Sequence, residues 1–421
     1  MATVGLVRPD SKAIQYQNLA TVSAVEPPHW MMVRAAQLEM EGAEVKVHDC
    51  AINGATIGIS DCDRYEVWPS GVHPSAFVQE QAGVEHVVEQ LRGTGKHIDV
   101  MEHLPFNPIG ILPAYCTMDA YKAHNWHSWG QGDTRPYGTV SFAISCPYTC
   151  RFCTVKQFYR KPYTRQPLSN IMAQLVNLKS RGVRNVKVMD EIAVLPTPEF
   201  RDIVWAIEGE FGDYFNFWCY SRADTLPGDD TLIMMKQAGF NWVCVGIESG
   251  VQAIRESNGK GSFTNGDVEI CVQRLQGAGI HVLGNFMFGF PEDDRDALNR
   301  TFELSWTLGC EYTNYYCMVP YPNTKIRALA VERGWDVACT PQEFAQMGYE
   351  FKPLQTEFLS SAEVLAYRDW AWSIYHNREG YWDRIGHVFG EQAREEIKNT
   401  SRIEIKRKVL DGGTWMDFWK T

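Results

Sequence analysis

The sequence predicts an α/β protein whose central part is a parallel sheet with helices outside it. Two observations predict this. Strand and helix signals alternate from residue 137 to about 335, giving six βα repeats. The connections are too short for anything but parallel neighbours with helical crossovers. A chain of 421 residues, 45% hydrophobic and 22% charged, also has the length and composition of a soluble protein with a sizeable core. On these residues alone the sheet is either a barrel or an open doubly wound sheet. In both, ligands sit at the carboxyl ends of the strands.

Taken in order, "TVGLVRP" (3–9) is a short apolar strand. Pro28 opens a helix whose Met31, Met32, Ala35 and Leu38 recur at helical spacing, and Gly42 stops it. "VKVHDC" (45–50) is the next strand, completing a βαβ unit. "YEVWPSGVHPSAF" (65–77) reads as a strand leaving into a loop, and "VEHVVEQLRGTG" (84–95) as a short helix. From about 104 the chain turns rich in Pro, Gly and aromatics without period, the composition of a linker that packs on a neighbour.

In the central part the expected strands are 137–145, 183–191, 215–224, 241–250, 280–291 and 311–322. The helices between them are 169–182, capped by Ser169, then 197–212, with Thr197 as N-cap and Pro198 at its start, then 229–239, 264–279 and 294–309. The tail alternates aromatics and charges at helical spacing and packs as a cap. Four segments follow: an α/β unit over 1–110, a linker over 111–136, the βα repeats over 137–335 and a helical region over 336–421.

The formal charge of −11 and pI near 5.5 argue against broad binding to nucleic acid or anionic membrane, though not against a local basic groove. "MATVGLVRPD" has no basic segment leading into an apolar core, and no run of about 18 apolar residues occurs. Nine of the twelve cysteines are scattered through core-like runs. A reducing, cytoplasmic setting is expected, with these nine as small hydrophobes.

Cys146, Cys150 and Cys153 are different. "SCPYTCRFCTV" gathers them in one loop directly after the first central strand. Zinc would want a fourth Cys or His, usually from a second CxxC pair, and no other CxxC occurs. A four-iron cubane held by three thiolates suits the spacing better and leaves one iron open. Polar residues gather at the next strand ends: Asp190 and Glu191, Arg222 and Asp224, Glu248 and Ser249.

CxxxCxxC with an aromatic, Phe152, before the last Cys resembles the radical S-adenosylmethionine (radical SAM) superfamily. "MDE" stands where that family often has Gly-Gly-Glu. "YSRAD", "VGIESG", "GNFMFGFPEDD" and "PYPNT" resemble its later strand-end segments, so the resemblance runs through roughly 137–330. It implies a partial (β/α)6 TIM-type barrel, a [4Fe–4S] cluster on Cys146, Cys150 and Cys153, and SAM chelating the open iron. It implies reductive cleavage of SAM to a 5′-deoxyadenosyl radical that takes hydrogen from an unactivated C–H bond. An electron donor such as flavodoxin or ferredoxin, and a small, medium or nucleoside-type substrate, belong to that picture.

The roles implied are these. Phe152 lies beside adenine or cluster. Glu191, with Asp190 as its alternative, accepts from the SAM ammonium. Arg222 meets the SAM carboxylate or a ribose hydroxyl, or forms a structural ion pair with Glu248. Glu248 bonds the ribose, and Gly289 and Pro291 shape the adenine pocket. Cys317, on the sixth strand, is a candidate hydrogen donor. Tyr220, Asn285, Tyr315 and Tyr316 are candidate substrate contacts.

The N-terminal segment is similar to that of the cobalamin-binding branch: "PPHWMMVRAAQLEMEGAEVKVHD", then "PSGVHPSAF" and "AGVEHVV". It implies a doubly wound, Rossmann-like domain, but only about twenty residues separate "VHDC" from "GVHPSA". The domain is therefore shortened, with "ATIGISDCD" as a remnant strand, and cobalamin is left open. His29 and His73 are poor axial-ligand candidates. With cobalamin, C-methylation is expected; without it, isomerisation or rearrangement. A non-catalytic iron–sulfur or zinc protein is the alternative of another class.

Overall fold

The computed structural model describes residues 2–54, 61–70, 74–115, 118–261 and 263–418. Two parallel sheets carry the fold, one in the first hundred residues and one in the centre.

The first sheet contains β1 (Thr3–Arg8), β2 (Glu44–Asp49), β3 (Arg64–Val67) and β4 (His97–Val100), in the order β2-β1-β3-β4. All pairs are parallel. The chain therefore reverses its direction of travel between β1 and β3, which makes a doubly wound sheet with its switch point there. The helix His29–Met40 links β1 to β2 and buries Trp30, Met31, Val33 and Leu38. Gly42 ends that stretch at φ 87°, a left-handed turn that suits glycine.

Two local readings change. The 65–77 strand is only β3, and a short helix, Pro74–Gln79, follows it. β4 has no counterpart in the sequence reading. It is only four residues long, His97-Ile98-Asp99-Val100, too short a run to stand out in the sequence, and pairing with β3 makes it a strand. The suggested remnant strand, 55–63, falls outside the described residues over 55–60, as does His73, in 71–73.

The central sheet contains β5 (Tyr137–Val140), β8 (Asn185–Val188), β9 (Asn216–Arg222), β10 (Phe240–Glu248), β11 (His281–Phe288) and β12 (Tyr312–Cys317). β6 (Ala143–Ile144) and β7 (Thr164–Arg165) form a separate antiparallel pair. The six central strands are parallel and lie in chain order, β5 and β12 at the edges. Sequential order without reversal is the connectivity of a (β/α) barrel, not of a doubly wound sheet.

The expected strand 137–145 is interrupted. The Asp190 carboxylate accepts from the Phe142 amide at 2.7 Å, and the chain leaves the sheet there to pair with β7. Thr197 caps Pro198–Phe211 as expected, its hydroxyl accepting from the Phe200 amide. Ser169 does not cap its helix: Leu168–Ser180 starts one residue earlier, with Pro167 in the N-cap position. The linker packs as expected. Trp126 sits 5.4 Å from Trp218 and 5.1 Å from Trp242, ring centre to ring centre, and Phe389 stacks on Trp242 at 5.5 Å. These rings close the amino-terminal end of the sheet.

The tail is helical, but its long aromatic segment breaks into Ser361–His376 and Glu379–Phe389, with Glu391–Ser401 after them. No described helix is long and apolar enough to cross a membrane.

Candidate active site

One cavity of about 820 Å³ lies between the two sheets. Period-2 alternation decides which central residues reach it. Lys187, Trp218, Tyr220, Cys244, Asn285, Tyr312, Asn314 and Tyr316 line it from β8 to β12. Arg8 and residues 9–12 line it from the carboxyl end of β1, at the switch point of the first sheet. Arg368, Asp369 and Trp372 close it from the C-terminal helix. Tyr220, Asn285 and Tyr316 thus reach the cavity as expected. Tyr315 points the other way, its hydroxyl 2.6 Å from Ser305 on the flanking helix.

The three cysteines occupy the loop between β6 and the helix Val155–Tyr159, and none is in a disulfide. Backbone bonds fix the loop. Arg151 N donates to Asn258 O at 3.0 Å, and Ile326 N donates to Arg151 O at 3.3 Å. The loop is thereby tied to segments that follow β10 and β12. Lys156 Nζ donates to the Cys146 carbonyl. Phe152 and Cys153 face the cavity, and Phe152 meets Phe290 edge-on at 5.8 Å. Burial pushes the Cys146 and Cys153 thiols up. Among the described residues no three His, Cys, Asp or Glu side chains converge on a single metal ion.

The two carboxylates of "MDE" separate. Glu191 lines the cavity, with the Tyr159 hydroxyl 3.5 Å from Oε1. Withdrawal from water raises its carboxyl to about 8, with Asp190 adding repulsion. Asp190 is buried and spends one oxygen on the Phe142 amide, and burial raises it to about 7.

Arg222 and Glu248 do not pair with each other. Arg222 forms a two-pronged bond with Asp224 at 2.8 and 2.9 Å, lies 3.9 Å above the Tyr148 ring and reaches Cys150 Sγ at 3.8 Å. Glu248 pairs with Lys260 Nζ at 2.7 Å, and the Lys260 carbonyl accepts from Arg222. Lys260 therefore joins the two, and sequence reading missed it because its glycine-rich loop has no period. Glu248 itself sits at φ 68°, beside an irregularity in the β10–β11 register.

Gly289 takes φ 92°, and its amide and that of Phe290 donate to Asp293 at 2.8 and 3.0 Å. The Pro291 carbonyl accepts from Glu357 N at 3.0 Å. Asp293, not singled out beforehand, is the clamp that shapes this turn; "FPEDD" offers three adjacent acids and no local sign of which turns inward. Cys317 is buried on the Tyr315 side of β12 while bordering the cavity, and Gln346 brackets its backbone at 3.1 and 2.9 Å. His29 is buried against Thr139 at 3.1 Å, and burial depresses it to about 3.

Residues 140–305 match the radical SAM superfamily. An uncharacterized methyltransferase of Pyrococcus horikoshii is 27% identical over 235 residues, 56% of this chain and 48% of that protein. The hopanoid C-3 methylase of Methylococcus capsulatus is 25% identical over 202 residues, 46% of this chain and 36% of that protein. The chain thus spans about half or less of these curated relatives. Among solved structures, the radical SAM methyltransferase TsrM of Kitasatospora setae, with cobalamin and a [4Fe–4S] cluster bound, superposes with a TM-score of 0.62 at 14% identity. That match covers 96% of this chain and 99% of TsrM. The cobalamin-dependent enzyme OxsB, with aqua-cobalamin and SAM bound, gives 0.63 at 14% identity, covering 95% and 70%. The three-cysteine loop and the strands β8 to β11 fall inside the matched region, the two-sheet arrangement is that of TsrM and OxsB, and residues 140–305 carry the radical SAM match, a family that implies a [4Fe–4S] cluster and SAM.

Proposed function

We propose that this protein is a radical SAM enzyme that methylates carbon on a small or medium substrate, with cobalamin as a third cofactor. The observation that carries the reading is one cavity. It joins the three-thiol loop and Glu191 to the switch point of a shortened doubly wound sheet. Ligands of doubly wound folds sit at such a point. The relatives named as methyltransferases, and TsrM solved with tryptophan substrate and a SAM analogue, support the same direction. In this reading 1–110, 137–335 and 336–421 act as cobalamin, cluster and capping units around that cavity.

The residues fit the groups implied. Three unbridged thiols on one loop suit a cubane with one corner free for SAM. When bound, the cluster supplies an electron to the sulfonium of SAM, and cobalamin supplies the methyl group. The protein's own part is positioning. Glu191 accepts from the methionyl ammonium, and that cation returns its raised carboxyl to the ionised form. Arg222, held in plane by Asp224 and Tyr148, presents its remaining N–H toward the SAM carboxylate or ribose. Phe152 packs beside adenine, Glu248 bonds the ribose, and the Gly289–Pro291 turn shapes the adenine pocket. Tyr220, Asn285 and Tyr316 meet the substrate, and Cys317 is held near enough to the cavity to donate hydrogen.

The test is anaerobic reconstitution of the full chain with iron, sulfide and hydroxocobalamin. Iron–sulfur and corrin absorption are expected together, with SAM consumed under reductant. Cys146→Ala, Cys150→Ala and Cys153→Ala should each lose the iron–sulfur band. Stoichiometric zinc, or iron retained in the triple variant, would overturn the reading.

A further inference from the structure

Arg222 is buried, and its N–H groups have distinct tasks. Nε and Nη2 each donate to Asp224, at 2.8 and 2.9 Å, and Nη2 also donates to the Lys260 carbonyl. Nη1 faces Cys150 Sγ at 3.8 Å. The pose is held from two sides. The guanidinium lies over the ring of Tyr148, a residue of the cysteine loop. Gly261 takes φ 122°, and a Cβ there would sit 2.9 Å from Arg222 Nη2 and 3.1 Å from Asp224 Oδ2. The loop carrying Lys260 therefore comes this close only with glycine at that point. The other two sulfurs are met differently, by the backbone amides of Tyr148 at Cys146 and of Val155 at Cys153. Cys150, as a thiol, donates to the Gly259 carbonyl at 3.5 Å. Once iron takes the place of that proton the sulfur can only accept, and Arg222 Nη1 is the donor that faces it. Lys260 meanwhile stays with Glu248, 2.7 Å away.

We propose that Arg222 sets the reduction potential of the [4Fe–4S] cluster by donating a charged hydrogen bond to the Cys150 sulfur. The proposal rests on the cluster reading above, and it gives Arg222 a task that is complete before SAM binds. Reduction places one more negative charge on the irons and their sulfurs, and no atom is exchanged. A cation with its N–H aimed at one of those sulfurs stabilises the reduced form more than the oxidised form, so it raises the potential. Asp224, on the far edge of the guanidinium, acts with the opposite sign. Burial of Arg222 keeps water from screening either effect.

The experiment is a potentiometric titration of the anaerobically reconstituted full chain without SAM, with Ti(III) citrate as reductant and the paramagnetic resonance signal of the reduced cluster as readout. Arg222→Gln should lower the potential. At a fixed solution potential the ratio of reduced to oxidised cluster should fall about tenfold, equivalent to about 59 mV for one electron. Arg222→Lys keeps the charge and loses the planar fork, and should fall between the two. Arg92→Gln, the same charge change at an exposed residue of the N-terminal unit, should leave the potential where it is. The proposal is overturned by a potential in Arg222→Gln equal to or above that of the unaltered protein, by one lower still in Arg222→Lys, or by an equal fall in Arg92→Gln. Should Arg222→Gln fail to hold the cluster, Asp224→Asn decides. It leaves Arg222 in place with an acceptor for its Nε and removes the opposing charge, so the potential should rise; no change, or a fall, would sink the idea. Absence of iron–sulfur absorption from the unaltered protein would instead refute the functional reading on which the proposal rests.

Discussion

Lys187 Nζ lies 2.9 and 2.8 Å from the two carboxylate oxygens of Glu26, and 4.8 Å from the centre of the Trp218 ring. Lys187 belongs to β8, in the interior of the central sheet. Glu26 belongs to the segment before the helix His29–Met40 of the first sheet. The pair therefore bolts the two sheets together across the wall of the cavity, and His124 of the linker adds a third group 3.5 Å from Glu26.

Removing one partner leaves the other charged and buried. Glu26→Gln should cost about 3 kcal/mol of unfolding free energy, and Lys187→Met with Glu26→Gln together should cost less than the two singles summed. Urea titration of the four proteins in a double-mutant cycle checks this. Additive losses would mean that the pair does not couple the sheets.

Arg407 is fully buried and grips Asp369 through two bonds of 2.9 Å, while donating to the carbonyls of Gln346 and Gly348. It ties the last segment to the helix that closes the cavity. Arg407→Ala should destabilise by roughly 3–5 kcal/mol. Limited proteolysis should then cut first after 402, with the sheet core still protected.

Asp293 sets a pH dependence. Burial raises its carboxyl from 3.8 to about 7, with the Gly289 and Phe290 amides opposing. The folded form therefore holds a proton that the unfolded chain has released. Its contribution is largest below pH 4 and is lost as pH rises toward 7. Asp293→Asn keeps an acceptor for the amides and should flatten that part of the stability curve, read by thermal melts from pH 5 to 8. An unchanged slope would show that Asp293 is ionised throughout.

Gly250 closes the segment after β10. A Cβ there would sit 2.4 Å from the Arg300 carbonyl oxygen and 2.8 Å from Thr301 Cα. Both are backbone atoms of the helix Arg295–Leu308, so neither can yield without moving the helix. Gly250→Ala should cost about 1–3 kcal/mol, measured by urea unfolding. Gly277→Ala, with nothing within 4 Å, should not destabilise.

The sequence by itself determined the alternation of strand and helix, the caps at Thr197 and Pro198, and the three-thiol loop at a strand end. These are matters of period and of covalent spacing, which any chain of this sequence carries before it folds. It did not determine which acid of "MDE" faces the cavity. That depends on where β5 ends, and β5 ends because Asp190 holds the Phe142 amide. Nor did it show β4, whose four residues, too few to carry a period, become a strand by pairing with β3. Lys260, Glu26 and Arg407 are silent for the same reason. Each meets its partner across a gap in the chain, Glu26 and Lys187 being 161 residues apart, and only the closed fold brings such charges within reach.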